Sequence, residues 1–532
     1  MTTRTQEDLP ETGAAGTASA SRVKPQAPSA LEAEALRLDD ARNNFLGNRH
    51  AANGHGAKGN CARGNGDRMA VPLAAIPLHL SGEIAATVDL NEDAIAVVFA
   101  SAHQGKLLYD AQRGKWYRWE GTHWRQDDGA RVTREMIRRT VRKMCRGEPR
   151  WLTARMIDAV EKLSRTDERT CPRGTFDAEP LLLGTPGGVI DLRDGTTRTA
   201  RPEDLMTRLT GTMPAFGTPC ERWLGLLGAC IHGFGPDGEP RSAPPGDTMV
   251  RFLQRVCGYF LTGSTRHEFV FLLFGGGANG KSTFLRVLRE ILGDYFVSVA
   301  VETFLQTAHD QHPTGMAHIE GARLAACGEL PDNRSWNSQR VKDISSGEKM
   351  SARHMRQDFY DFVPVCKLLF VGNHRPRLRQ VDEAEKRRFR VIPFIHKVPE
   401  SQRDPKLEDA LREEYPAILA WMIEGAQAVI AEGFGTMPAA VTQATDEYFA
   451  ENDTFALWAA ERLLLHKDLS VRAGLAYSNY RRWFEENGHE GRPVSPREFK
   501  ARMTGMGAIH ERSNSERLYR GVALNIGDDD EP

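Results

Sequence analysis

The sequence predicts an α/β fold. Short apolar runs of strand length stand in its middle part, at Glu268–Phe274, at Leu324–Cys327 and before Gly372-Asn373. Each stops abruptly at glycine or a polar residue. The first leads into a glycine-rich loop, and the loop into an apolar pattern at helical spacing, Thr283–Leu292. A flexible linker rarely sits between a buried strand and a helix, so the loop is read as part of the fold.

The loop, "GGGANGKST" over 275–283, fits the phosphate-loop pattern: Gly275, four residues, then Gly280, Lys281 and Ser282. Glycines let the backbone turn and bring its N–H groups close to anionic oxygens. The helix that follows points its positive end at the same place. Gly275, Gly276, Gly277, Ala278, Asn279, Gly280, Lys281, Ser282 and Thr283 are therefore expected to hold ATP. Lys281 would reach the β- and γ-phosphates, and Ser282 would ligate magnesium.

At 532 residues the chain has room for about three or four domains. Its net charge of −1 gives no global signature for nucleic acid, so a DNA-binding surface must be local. Eight cysteines without a C-x-x-C pair suggest neither a zinc ribbon nor a disulfide framework. No apolar run approaches transmembrane length, and the N-terminus lacks the order of a secretory signal. A reducing cytoplasm, with no membrane partner, is expected.

Composition divides the chain. Residues 1–75 read as a disordered low-complexity tail, in which His50, His55 and Cys61 are solvated and not metal ligands. Residues 76–220 read as a mixed α/β domain. It contains a hairpin at 114–128 turning at Glu120-Gly121, a basic amphipathic helix at 133–146 and a strand–turn–strand at 187–204. Residues 221–435 carry the loop, with helices expected at 220–263 and 402–432; a smaller domain follows at 436–525 and an acidic tail at 526–532.

A nucleotide hydrolase needs a carboxylate at a strand end beside the phosphate loop. Glu329, just past Leu324–Cys327, is expected there, as magnesium ligand or as base. The strict pattern has two adjacent acids, whereas this chain has Gly328-Glu329, with Asp332 beyond a proline. The division between ligand and base stays open. Asn373 ends the next strand and can bond the γ-phosphate or the attacking water, though alone such an asparagine is more often a turn residue. Arg387, Arg388 and Arg390 precede a last apolar strand. An arginine can reach across a subunit boundary to the γ-phosphate; the alternative is an ordinary basic helix face.

Loop, Glu329, Asn373 and arginines follow in this order between 275 and 390. With "GGVIDLRDG", "RPEDLMTRLTG" and "RFLQRVCGYFLTG" upstream, the chain resembles the superfamily-three helicases. More narrowly, it resembles the C-terminal part of phage- and plasmid-encoded primase–helicases, related to the poxvirus primase–helicase. The resemblance runs over roughly residues 85–525. It implies an AAA-like P-loop ATPase core, a homo-oligomeric ring, hexameric in the family, and ATP-driven travel along single-stranded DNA. It makes Asn373 a sensor and Arg388, in preference to Arg387, the finger acting in trans. It also implies a channel hairpin between Glu329 and Asn373, with Lys349, Arg353, His354 and Arg356 as DNA contacts and Phe359 and Tyr360 as stacking candidates. At least two of Phe359, Tyr360 and Phe362 are expected to be core instead. Relatives often carry a primase domain first; residues 1–75 offer neither a folded domain nor clustered carboxylates, so no primase site is expected here. A separate primase or polymerase is then a partner.

In the last domain a helix at 474–488, a second starting at Ser495-Pro496 and two strands at 508–524 read as a winged helix. Arg497, Lys500 and Arg502 give the second helix a basic face suited to DNA. The combined expectation is an ATP-dependent helicase of a phage, plasmid or integrated mobile element, acting on single-stranded and forked DNA in a bacterial host. The main alternative is an ATP-switched loader or scaffold that binds an origin and recruits a separate helicase or primase. A weaker one is an ATPase acting on RNA.

Overall fold

The structure, a computed structural model, describes residues 90–235, 241, 244, 246–306, 314–331, 334–353, 359–378, 383–489, 492–513 and 516–525. The expected tails at 1–75 and 526–532, with His50, His55 and Cys61, lie outside these residues, as do Asp332, His354 and Arg356.

The first elements are α1 (Glu92–Ala102), the antiparallel strands β1 (Leu107–Asp110), β2 (Lys115–Trp119) and β3 (Trp124–Asp127), then α2 (Arg131–Met144) and α3 (Ala154–Ser164). The expected hairpin and basic helix are both present. The Asp127 carboxylate accepts from the backbone N–H groups of Val132 at 3.1 Å and Thr133 at 2.8 Å, which fixes the start of α2 at the end of β3. Ile137, Val141 and Met144 recur at helical spacing and pack with Phe99 of α1 and Val160 of α3.

Next come β4 (Leu182–Thr185), β5 (Gly188–Asp191) and β6 (Thr197–Arg198) in one antiparallel sheet, then α4 (Glu221–His232) and α5 (Thr248–Leu261). The sequence suggested a strand–turn–strand from 187; β4 is a third strand before it. Leu183, Val189 and Ile190 share one apolar cluster with Trp223 of α4 and Phe260 of α5, so the core is continuous across residue 220.

The central part runs β7 (Val270–Phe274), α6 (Lys281–Leu292), β8 (Phe296–Ser298), α7 (Thr314–Ala317), β9 (Leu324–Cys327), α8 (Ser338–Ser346), β10 (Met350–Ala352), β11 (Tyr360–Phe362), β12 (Lys367–Gly372), α9 (Glu383–Lys386) and β13 (Phe389–Pro393). Five strands form a parallel sheet in the order β13-β7-β12-β9-β8. Alternate residues serve opposite faces. Phe271, Leu273, Leu369 and Ile392 join one cluster, while Val270, Leu272, Leu368 and Val391 join another. Burial on both faces explains why these strands read as continuous apolar runs. β10 and β11 pair separately as an antiparallel hairpin.

The chain then forms α10 (Leu407–Glu432), α11 (Ala439–Asn452), α12 (Thr454–Arg462), β14 (Leu463–Arg472), α13 (Ala473–Glu486), α14 (Pro496–Gly505), β15 (Ile509–Ser513) and β16 (Glu516–Leu524). The last three strands make an antiparallel sheet in the order β14-β16-β15. Phe455, Trp458, Tyr480, Phe499 and Tyr519 form a core of their own beneath it. Both expected helices and both expected strands are there, and β14 joins them. Among the described residues no helix is long and apolar enough to cross a membrane.

α11 is tied to the segment after β12 by one buried phenol. Trp336 Nε1 donates to Tyr448 Oη at 2.8 Å, and that hydroxyl donates to the Pro376 carbonyl at 2.5 Å. Tyr448→Phe would leave a donor and an acceptor unpaired in a dry core. It is expected to lower the unfolding free energy by about 1–3 kcal/mol in a urea titration; an unchanged midpoint and slope would show that the bridge is not a stabilising contact.

Candidate active site

The C-terminal ends of β7, β9 and β12 converge on one cavity. The loop at 275–280 leaves β7 under tight restraint. A Cβ on Gly275 would lie 1.9 Å from the Phe394 carbonyl oxygen, which follows β13. That same oxygen accepts from Asn279 Nδ2, and the Phe394 N–H donates to the Phe274 carbonyl at 2.7 Å. Val398 N–H closes the loop from the far side on the Ala278 carbonyl at 2.7 Å. Gly280 is left-handed, at φ 82°, and a Cβ there would meet Cys230 Sγ at 2.5 Å. Only glycine fits either position.

Lys281 opens α6 and is buried, 6% exposed. Its ammonium donates to the carbonyls of Gly275 at 2.7 Å and Gly276 at 3.0 Å, to Asn279 Oδ1 at 2.8 Å and to Asn373 Oδ1 at 3.0 Å. Burial lowers its pKa below the ordinary lysine value. Ser282 is exposed at the head of the same helix.

Glu329 follows β9 with its backbone left-handed, φ 55°, a conformation few non-glycine residues adopt. Leu330, buried beside it, sits where a Cβ on Gly372 would come within 2.8 Å, so the glycine at the end of β12 makes room for this turn. Lys281, Ser282, Glu329 and Asn373 all line the cavity, whose volume is about 650 Å³. Four residues from three separate stretches of chain are thus brought together. Sequence reading missed three further lining residues, Arg286, Arg289 and His374. A signal for two of them exists: Ser282, Leu285, Arg286 and Arg289 fall on one helical stripe.

Among the described residues no three His, Cys, Asp or Glu side chains form a cluster. A hard cation at Ser282 and Glu329 would find only two protein side chains, so phosphate and water oxygens would complete its shell. That donor set fits magnesium accompanying a nucleotide.

The arginines lie differently from expectation. Arg388 is buried: it pairs with Glu268 at 2.6 Å and donates to Ser346 Oγ at 3.1 Å and to the Ala384 carbonyl at 2.9 Å. Held by three internal acceptors, Arg388 is less free than Arg387 to reach another subunit. Arg387 has 67% of its side chain exposed and only a 3.7 Å contact with Glu268. Arg390 lies 4.1 Å over the Phe269 ring.

In the β10–β11 hairpin, Lys349 is exposed and pairs with Asp361 at 2.9 Å, and Arg353 lies 4.9 Å over the ring of Phe359. Phe359 is exposed, Tyr360 half-buried and Phe362 buried. Strand β11 carries a tie that the sequence did not reveal. Tyr360 hydrogen-bonds the Glu320 carboxylate, which also accepts from Arg113 Nη2 at 2.5 Å, a residue of the β1–β2 turn. In the C-terminal part Arg497 and Lys500 are exposed. Arg502 pairs with Asp453 at 2.7 Å and Glu498 at 2.9 Å and covers Phe455, so it braces the domain and does not extend the basic face.

Residues 96–232 match the family described as "D5 N terminal like", and residues 273–388 match a family of unknown function, DUF5906. The chain is 24% identical over 339 residues to "Putative helicase L207/L206" of Acanthamoeba polyphaga mimivirus, across 59% of this chain and 34% of that protein. It is 22% identical over 392 residues to "Putative helicase 022R" of Frog virus 3 (isolate Goorha), across 60% of this chain and 40% of that one. The chain is thus similar to a D5-type N-terminal segment and to viral proteins named putative helicases. Its alignments span well under half the length of these viral proteins. Among solved structures, the apo C-terminal region (305–718) of NrS-1 is 10% identical, with a TM-score of 0.47 over 82% of this chain and 100% of that one.

The second matched segment, 273–388, contains the loop, Glu329, the hairpin, Asn373 and Arg387. The loop geometry makes a direct test. Gly275→Ala is expected to push the loop off Phe394 and weaken binding of a fluorescent ATP analogue by about tenfold or more, equivalent to roughly 1.4 kcal/mol. Parent-like affinity would show that the Phe394 contact yields freely.

Proposed function

We propose that the chain is an ATP-dependent DNA helicase or translocase with an AAA-like P-loop ATPase core of the superfamily-three type and a C-terminal winged helix. The observation that carries this reading is the convergence of Lys281, Ser282, Glu329 and Asn373 on one cavity at the C-terminal edge of the parallel sheet. The strand order, with the loop strand β7 between β13 and β12, supports it. So do the helicase names of the viral relatives.

In this reading ATP phosphates replace the loop carbonyls as partners of the Lys281 ammonium. Asn373, released from the lysine, then faces the γ-phosphate or the water that attacks it. Glu329 orients or deprotonates that water, or shares the metal with Ser282. Magnesium, held by Ser282 and Glu329 together with phosphate oxygens, would neutralise charge on the β- and γ-phosphates. Arg387, exposed and loosely held, is the finger that completes a neighbour's site, which makes the working form a ring, a hexamer in this family. Lys349 and Arg353 on the hairpin meet the phosphates of a single strand in the channel. Arg497 and Lys500 serve duplex DNA. The chain acts in replication of a phage, plasmid or other mobile element.

Lys281→Ala is expected to abolish ATP hydrolysis with the fold retained. Glu329→Gln should bind ATP yet hydrolyse it about 10²–10⁴-fold more slowly. Parent-like hydrolysis in Lys281→Ala would remove the ATPase reading. Strand separation of a forked duplex with ATP distinguishes a helicase from a loader: hydrolysis without separation would favour the loader.

The ring makes its own demand. Arg387→Ala and Lys281→Ala, each inactive alone, should regain part of the ATPase when mixed, because some interfaces then combine an intact loop with an intact arginine. Absence of any recovery, with Arg387→Ala active alone, would show that the site is complete within one chain.

A further inference from the structure

We propose that the exposed face of α2 is a nucleic-acid backbone-binding surface, separate from the hairpin. The inference rests on the reading above for the identity of its polyanion, and on α2 itself for its place. Between Arg131 and Arg146 the chain carries seven cationic side chains and one carboxylate, in a protein whose net charge is −1. The helix buries Ile137, Val141 and Met144 against α1 and α3. The opposite side presents Arg131, Arg138, Arg139, Arg142 and Lys143 to solvent, and Arg146 follows the last turn, also exposed.

Local ion pairing accounts for part of this charge. Arg134 is engaged by Asp158 at 2.5 Å and Glu161 at 2.7 Å, across to α3. Arg138 and Arg139 share Glu135, at 2.9 and 3.4 Å. Arg131, Arg142, Lys143 and Arg146 make no ion pair with a carboxylate among the described residues.

Helix stability does not ask for this pattern. Cations in the last turn, Arg142 and Lys143, suit the negative end of the helix dipole. Arg131 sits in the first turn, where a cation opposes it. Arg138 with Arg142, and Arg139 with Lys143, are like charges four residues apart, which repel. A solvated face needs polar residues, not self-repulsion along one helix. A polyanion removes the repulsion, because each phosphate contact neutralises a cation and releases counterions. From Arg131 to Arg142 the face is about 16 Å long, enough for several contacts.

The test compares the full chain with the triple variant Arg131→Gln, Arg142→Gln, Lys143→Gln and with Lys349→Gln in the hairpin. The readout is anisotropy of a labelled single strand and a labelled duplex. Removing three phosphate contacts should flatten the log–log salt slope by about two units on a single strand and weaken binding roughly tenfold or more near 50 mM salt. Circular dichroism and basal ATPase should match the parent, since none of the three lines the cavity. An unchanged slope in the triple variant, with a parent that binds DNA and a weakened Lys349→Gln, overturns this surface and leaves the functional reading intact. A parent that binds neither DNA defeats the functional reading itself. A parent that binds anionic phosphatidylserine vesicles through these residues, and DNA independently of them, assigns the face to a membrane and overturns the proposal.

Discussion

The site depends on how closely the chain passes the end of β13. Gly275 runs against the Phe394 carbonyl with no room for a side chain, and Asn279 donates to the same oxygen. Asn279 then offers its own oxygen to Lys281, and Lys281 reaches Asn373 at the end of β12. One sequence of hydrogen bonds therefore crosses the sheet edge from β13 through the β7 loop to β12. Strand register makes it possible: Phe274 pairs with Pro393 on one side and Gly372 on the other, so the three strands end level. A slip in either pairing would carry Asn373 or Phe394 out of reach.

The opposite edge of the sheet shows what polar groups do there when they serve the fold. Arg323, just before β9, and Lys367, which begins β12, are both buried. Arg323 donates to the carbonyls of Leu261 and Leu182 and lies 4.4 Å over Tyr295. Lys367 donates to the carbonyls of Thr262 and Val365 and lies 5.0 Å over Tyr259. Burial lowers the pKa of both, Lys367 well below the usual lysine value. These cations are satisfied by carbonyls and rings that belong to the fold, and they join the sheet to α5 and β4. Lys281 is also bonded to carbonyls, but it lines an open cavity beside an exposed serine and a strained glutamate. The same chemistry staples at one edge and is accessible to a ligand at the other.

The sequence made the cavity edge largely legible and the opposite edge hardly at all, for a physical reason. A phosphate loop is continuous in sequence, and its glycines are demanded by local backbone geometry. Glu329 and Asn373 each follow a buried strand, so their meeting was inferable once a parallel sheet was assumed. β14 was missed because its place is set by a partner far along the chain: it pairs with β16 although seven of its ten residues are exposed. Arg323 and Lys367 carry no local signal at all, since nothing nearby announces a carbonyl more than sixty residues away. The preference for Arg388 over Arg387 had no local basis either: only the fold sets Glu268 2.6 Å from Arg388 and 3.7 Å from Arg387.

The tie at Glu320 bears on how the parts of such a machine would act together. Asp110 fixes the β1–β2 turn by accepting from Gln112 N–H at 2.9 Å and from Arg113 Nη1 at 2.6 Å, so Arg113 is presented with little freedom. Arg113 and Tyr360 then meet on one carboxylate, and Arg208 donates to the Glu320 backbone carbonyl at 2.6 Å. A hairpin that moves with the nucleotide must either carry the N-terminal sheet with it or break this junction. The bonds are few and partly exposed, so each is weak compared with the apolar contacts inside either part. Their geometry nevertheless selects one position of β11 over others. If Asn373 and Lys281 separate when phosphates enter, β12 is released at one end of the connection while Glu320 still holds Tyr360 at the other. Strain between those two anchors is then the physical route by which nucleotide chemistry would reach Lys349 and Arg353.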